Sequence, residues 1–120
     1  MAELALHTLR SISPDIELAV LLDPDGAICG VSPSMDEDDE LVAVAAPLLT
    51  TLTSLADRSA RELGRGMLDT LVLRGPNGHV VVQELQDGRM LAAVARSGAR
   101  LGLLLDDVAS AASQIARSAA

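Results

Sequence analysis

The sequence is organised around residues 37–63, EDDELVAVAAPLLTTLTSLADRSAREL, where an acidic cluster leads into a long apolar segment with a basic end. Read at about 3.6 residues per turn, this segment predicts one long helix with two apolar stripes. The main stripe, which we expect to lie on a sheet, consists of Leu41, Val44, Ala45, Leu48, Leu52, Leu55, Ala56 and Leu63. The second stripe consists of Val42, Ala46, Leu49 and Ala60. A second apolar stripe indicates that the helix packs against a second surface in addition to the sheet.

The helix has clear signals at both ends. Ser34 or Asp36 is predicted to cap its start, where acidic residues favour the helix dipole. Its other end carries basic residues and is followed by Gly64-Arg65-Gly66, which is typical of a helix C-cap. The polar side, opposite the apolar stripes, consists of Thr50, Ser54, Asp57, Arg58 and Arg61.

Composition restricts the type of core and of partner. The 120 residues are expected to form one domain, residues 1–120, and 49% of them are hydrophobic although Phe, Tyr and Trp are absent. The net charge of −8 makes nucleic acid and anionic membrane surfaces poor partners. We find no apolar run near the roughly 20 residues of a membrane-spanning helix and no signal peptide, and therefore expect a cytoplasmic protein.

The rest of the chain alternates between short helices, strands and turns. Pro14 ends a first helix at 2–12, whose inner side contains Leu6 and Leu9, with Ile12 as a further candidate. Turn residues separate the predicted strands, and Asn-Gly and Asp-Gly pairs mark hairpins. The predicted strands are 16–22, 27–32, 67–74, 79–85 and 89–96, and a last helix covers 99–116 with a buried face of Leu101, Leu104, Leu105, Val108, Ala112 and Ile115.

The apolar pattern of the strands predicts their order. The first and fifth strands are apolar on both faces, so they belong in the middle of the sheet. The second strand pairs with the first, and the last three strands form a meander. The predicted fold is therefore α+β, with an antiparallel five-stranded sheet in the order 2-1-5-4-3. The third strand is then an edge with unpaired backbone groups.

The sequence shows no reactive motif. Asp23-Pro24-Asp25-Gly26 matches a D-x-x-G pattern, but the chain lacks a phosphate-binding loop and any Lys, so a tight turn is the better interpretation. Cys29 is expected to be a small buried residue, and as the only cysteine it excludes an internal disulfide. We predict no catalytic residues, cofactor or metal site. The acidic run 36–40 as a cation site, an anion patch at Arg58, Arg61 and Arg65, and a Ser/His/Asp triad remain alternatives.

Several segments together resemble the roadblock family of dynein light chains and bacterial GTPase regulators. The order of elements is similar over nearly the whole chain. The segments that carry the resemblance are 23–26 (DPDG), 64–66 (GRG), 73–80 (LRGPNGHV), 85–91 (LQDGRML) and 99–104 (ARLGLL).

The resemblance implies a roadblock/longin-like, profilin-like sandwich, with the long helix on one face of the sheet and the two terminal helices on the other. It also implies a homodimer, in which the third strands pair and the long helices lie side by side. The dimer interface expected from it is Val42, Ala46, Leu49, Ala60, Met67, Leu68, Asp69, Thr70, Leu71 and Val72.

The resemblance further implies a non-catalytic regulator of a small Ras-like GTPase, which acts without inserting an arginine finger. The expected contacts with the GTPase are Thr50, Ser54, Asp57, Arg58 and Arg61, on the polar side of the long helix. Two other functions remain open: a dimeric scaffold with no effect on nucleotide turnover, and a small enzyme or ligand-binding domain.

Overall fold

The computed structural model describes residues 2–33 and 40–118. The predicted helix caps, Ser34 and Asp36, lie outside these residues, as does most of the acidic run. The elements in chain order are α1 (Ala2–Ile12), β1 (Ile16–Leu22), β2 (Ile28–Ser32), α2 (Glu40–Glu62), β3 (Thr70–Gly75), β4 (Gly78–Glu84), β5 (Met90–Arg96) and α3 (Leu101–Ser118).

The strands form one antiparallel sheet in the predicted order, β2-β1-β5-β4-β3. The central pair is β1 and β5, in which Ala19 lies opposite Ala93 and Leu21 opposite Leu91. All four of these side chains are buried, as a strand covered on both faces requires. The edges of the described sheet are β2 and β3.

Helices cover both faces, which confirms the predicted sandwich. On one face, α1 and α3 pack on the sheet in a core that includes Leu6, Ile16, Leu21, Val81 and Ile115. On the other face, α2 packs through a smaller core that includes Leu18, Val20, Leu22, Val42, Leu49 and Met90. Ile12, a candidate for the inner side of α1, is instead 64% exposed.

The connection from α2 to β3 is fixed by hydrogen bonds. Gly64 (φ 74°) closes the helix, where the Arg65 N–H donates to the Ala60 carbonyl at 2.8 Å and the Gly64 N–H to the Arg61 carbonyl at 3.0 Å. The Leu68 N–H then donates to Asp57 Oδ1 at 2.8 Å. β3 begins at Thr70 and not at the predicted Met67, although Asp69 just before it still accepts a hydrogen bond from the Glu84 N–H at 3.0 Å.

Cys29 also differs from its prediction, because it is exposed. It lies at a bulge of β2, between Ile28, which is opposite Leu22, and Gly30, which is opposite Leu21, so it has no directly opposite residue on β1. Partial burial of the sulfur and the nearby Asp23 carboxylate raise the pKa of the Cys29 thiol, so it is a poor nucleophile near neutral pH.

Candidate protein-interaction surface

The long helix packs on the sheet mainly through the second predicted stripe, and Ala45 is the one residue of the main predicted stripe that is buried. Its buried residues are Val42, Ala45, Leu49 and Thr53. Within the main predicted stripe, Leu48 and Leu55 are each 61% exposed and Leu63 is 72% exposed. The expected sheet face of the helix is therefore largely its solvent face.

Thr53 explains why the two stripes were exchanged. It continues the spacing of Val42, Ala45 and Leu49 by one more turn, but its hydroxyl makes it look like a surface residue in a count of apolar side chains. In the structure this hydroxyl donates to the Leu49 carbonyl at 2.7 Å, within the helix itself. A buried hydroxyl with a local acceptor carries little desolvation cost, so this stripe is able to face the core.

The exchange corrects part of the predicted dimer interface. Val42 and Leu49 are each 6% exposed and pack on the sheet of their own chain, so they are not available to a second copy. Ala46 and Ala60 are only partly buried. Met67, Leu68 and Asp69 precede β3 and are not part of the strand, whereas Thr70, Leu71 and Val72 lie on the edge strand as predicted.

Beside the exposed stripe of α2 is an apolar groove with a volume of about 500 Å³. One wall is the exposed stripe, and the floor is the end of the sheet nearest the β3–β4 turn. We call this the α2 groove. Its wall includes Leu41, Val44, Leu48, Leu52 and Leu55, and its floor includes Leu73, Val80 and Val94. An apolar surface of this kind on a small protein is typical of an interaction site.

The predicted GTPase contacts on α2 fall into two groups. Thr50 and Asp57 are partly buried and hold the fold: Thr50 donates to the Ala46 carbonyl at 2.8 Å, and Asp57 accepts from Leu68. Ser54, Arg58 and Arg61 are exposed. Arg58 pairs with Glu62 at 3.0 Å and Arg61 with Asp57 at 2.9 Å, so both guanidinium groups are held along the helix surface.

The end of α2 near β4 has perturbed carboxyl groups. The Leu68 N–H and the Arg61 guanidinium lower the pKa of Asp57. Burial and the nearby Asp57 carboxylate raise the pKa of Glu84, the last residue of β4. Hydrogen bonding, burial and the neighbouring charges explain both the lowered pKa of Asp57 and the raised pKa of Glu84. Neither shift therefore indicates a catalytic role.

Within residues 2–33 and 40–118, no three His, Cys, Asp or Glu side chains are grouped so that they could hold a metal ion. By length and composition alone, α2 is apolar enough to cross a membrane, contrary to our expectation of no such run. α2 packs on the sheet through Val42 and Leu49, but 17% of its apolar window is buried within the chain. The helix therefore has more apolar surface than its own sheet covers.

Comparison with known proteins identifies the fold. The Roadblock/LC7 domain model matches residues 3–95. MglB from Myxococcus xanthus superposes with a TM-score of 0.84 at 12% identity, over 97% of this chain and 92% of that one. A structure described as MglB with a tetrameric arrangement superposes with a TM-score of 0.83 at 21% identity, over 97% and 85%. A Roadblock/LC7 domain from Streptomyces avermitilis gives 0.82 at 24% identity, over 94% and 92%. None of the curated proteins matches the chain in sequence.

Proposed function

This chain belongs to the Roadblock/LC7 family, and from that membership we propose that it is a homodimeric regulator of a small Ras-like GTPase. In this proposal it is cytoplasmic, has no catalytic residues of its own, and modulates GTP hydrolysis or the nucleotide state of its partner. The likeness to MglB-type structures supports the proposal at the level of the fold.

The observation that carries the dimer is the α2 groove. It leaves Leu48 and Leu55, each 61% exposed, beside an apolar floor that includes Leu73, Val80 and Val94. Burying one large aliphatic side chain is worth about 2 kcal/mol. A second copy whose α2 lies across this floor buries the exposed stripes of both helices, and the free β3 edges then meet at the same seam.

For the GTPase we propose a contact surface at the polar side of α2. Ser54, Arg58 and Arg61 are accessible there, while Thr50 and Asp57 shape the surface from beneath. Arginine side chains suit a partner that presents carboxylates or phosphate oxygens. An effect on hydrolysis would come from positioning the partner's own groups, with an arginine supplied by this chain as the alternative.

Light scattering on paired variants tests the dimer. Leu48→Glu places a charge in the α2 groove, and Leu103→Glu places one at a similarly exposed position on α3, at 61% and 58% exposure respectively. We expect Leu48→Glu to give a folded monomer and Leu103→Glu to leave the dimer intact. Equal behaviour of the two variants would count against an interface at α2.

Binding and hydrolysis test the GTPase. The wild-type protein is incubated with the Ras-like GTPases of the same genome, loaded with GTP or with GDP, and hydrolysis is followed with and without it. We expect nucleotide-dependent binding that Arg58→Ala and Arg61→Ala weaken. Binding that leaves hydrolysis and nucleotide exchange unchanged would mean a scaffold, and no binding in either state would overturn the GTPase proposal.

A further inference from the structure

The hydrogen-bond pattern of β3 determines which of its backbone groups face outward. The Glu84 N–H donates to the Asp69 carbonyl at 3.0 Å, so residues 69 and 84 form a hydrogen-bonded pair. In an antiparallel ladder such pairs recur at every second residue. In the register of β3 with β4, the inward-facing residues are therefore Leu71, Leu73 and Gly75, and the N–H and C=O groups of Thr70, Val72 and Arg74 face the open edge.

Both ends of this edge have a blocked donor. Pro76, in the turn after β3, has no N–H. Before the strand, the N–H of Leu68 is already donated to Asp57 Oδ1. A strand added along the edge can therefore form a full ladder only with residues between these two positions.

Two copies related by a two-fold axis can pair their β3 strands in three central registers, with Leu71, Val72 or Leu73 opposite itself. Centring on Leu73 places Thr70 opposite Pro76. One hydrogen bond of the ladder is then lost, because Pro76 has no N–H to donate. Centring on Leu71 places Arg74 opposite Leu68, whose N–H is taken, and places Leu73 opposite Asp69. Centring on Val72 gives every outward group of Thr70, Val72 and Arg74 a partner.

We propose that the two β3 strands of the dimer pair antiparallel with Val72 directly opposite Val72 of the second copy. This inference rests on the dimer of the proposed function and specifies how the two β3 edge strands pair in it. Moving the centre by one residue shifts the pairing by two residues, so each side chain keeps its face of the sheet but meets a different neighbour.

The side chains agree with this register. Leu71 packs with the α2-side core and Leu73 lies in the floor of the α2 groove, so both point to the α2 side of the sheet. Pairing at Val72 places Leu71 of each copy opposite Leu73 of the other. The floor of each α2 groove is then continued by a leucine from the second copy, and Arg74 lies opposite the small polar Thr70.

Cysteine cross-linking distinguishes the registers. In a Cys29→Ser background, the single variants Leu71→Cys, Val72→Cys and Leu73→Cys are compared under mild oxidation. Directly opposite residues have Cα atoms about 5.5 Å apart, whereas residues displaced diagonally are about 7–8 Å apart, beyond the usual disulfide range. We expect Val72→Cys to form a covalent dimer at least about tenfold faster than the other two variants.

The outcomes separate this inference from the proposal on which it rests. Faster linkage at Leu71→Cys or Leu73→Cys overturns the register and leaves the dimer standing. No linkage at any of the three sites, with a dimer still seen by light scattering, overturns strand pairing through β3. A wild-type monomer in light scattering overturns the dimer itself, and the register with it.

Discussion

The two apolar stripes of α2 have different positions in the structure. One stripe, which includes Val42 and Leu49, is buried on the sheet, and the other, which includes Leu48 and Leu55, borders an open groove. The larger side chains are on the exposed stripe. The difference teaches that the more apolar stripe of a helix does not necessarily face its own core, because a second protein can cover that stripe.

Truncation of neighbouring leucines tests this difference most strongly. We expect Leu49→Ala to lower the free energy of unfolding by about 3 kcal/mol, since it leaves a cavity in the core. Leu48→Ala should change the unfolding of the monomer by less than about 1 kcal/mol, since that side chain is already exposed. Urea denaturation at concentrations where the protein is monomeric measures both. Similar losses for the two variants would contradict the assigned faces of α2.

Acid should loosen the α2–β3 connection next to the exposed stripe. The folded pKa of Asp57 is lowered, so its stabilising effect is present above the unfolded pKa of about 3.9 and is lost as the pH falls through the folded value. Hydrogen exchange of the Leu68 amide should therefore accelerate below about pH 4, after correction for intrinsic rates. In Asp57→Asn this acid step should be absent, and an unchanged step would show that another carboxyl group controls the connection.

A third substitution makes the buried stripe wholly apolar. Thr53→Val removes a hydroxyl that donates only within its own helix, to the Leu49 and Thr50 carbonyls. We expect a change in the free energy of unfolding within about 1 kcal/mol, because no buried donor loses its acceptor. Calorimetry measures it, with Thr8→Val as the control, since Thr8 is exposed on α1 and its hydroxyl also donates within its own helix. A loss of several kcal/mol would mean that the hydroxyl stabilises the packing of α2.

The smallest effect on stability is expected on the polar side of the helix. Arg58 and Glu62 form an ion pair in which the side chains are 75% and 66% exposed. Arg58→Ala should change the free energy of unfolding by less than about 0.5 kcal/mol, because exposed pairs of this kind contribute little. The same variant should still weaken GTPase binding. Titration calorimetry with the partner, alongside thermal unfolding, separates the two effects.

Much of the fold was predictable because local patterns decide it. The apolar faces of β1 and β5 predicted their central positions, and the turns with Asn-Gly and Asp-Gly predicted the meander. The errors arose where contacts distant in sequence decide the outcome. Where the sequence predicts the start of β3, Leu68 donates to Asp57, eleven residues earlier, and Cys29 lies at a bulge that only the pairing of β2 with β1 defines.

The candidate site was predictable only in part. The surplus apolar surface of α2 and the free edge at β3 followed from the sequence, but the assignment of the stripes did not. From the sequence, the Thr53 hydroxyl marks a polar position. The structure shows that a carbonyl of the same helix accepts its hydrogen bond, so the side chain is able to be buried. The floor of the α2 groove also consists of residues from three different strands. The order and register of the sheet bring these residues together, and no local sequence pattern shows it.

The second edge of the sheet has a consequence for assembly size. Two-fold pairing through β3 would use that edge in both copies and leave β2 as the outer edge of the described sheet in each. That strand has five residues, and its last residue, Ser32, is buried beside α1, where Arg10 Nη1 donates to the Ser32 hydroxyl at 3.4 Å. Growth into an open-ended fibril would have to start from this short, partly covered strand, so pairing of sheets would stop at two chains.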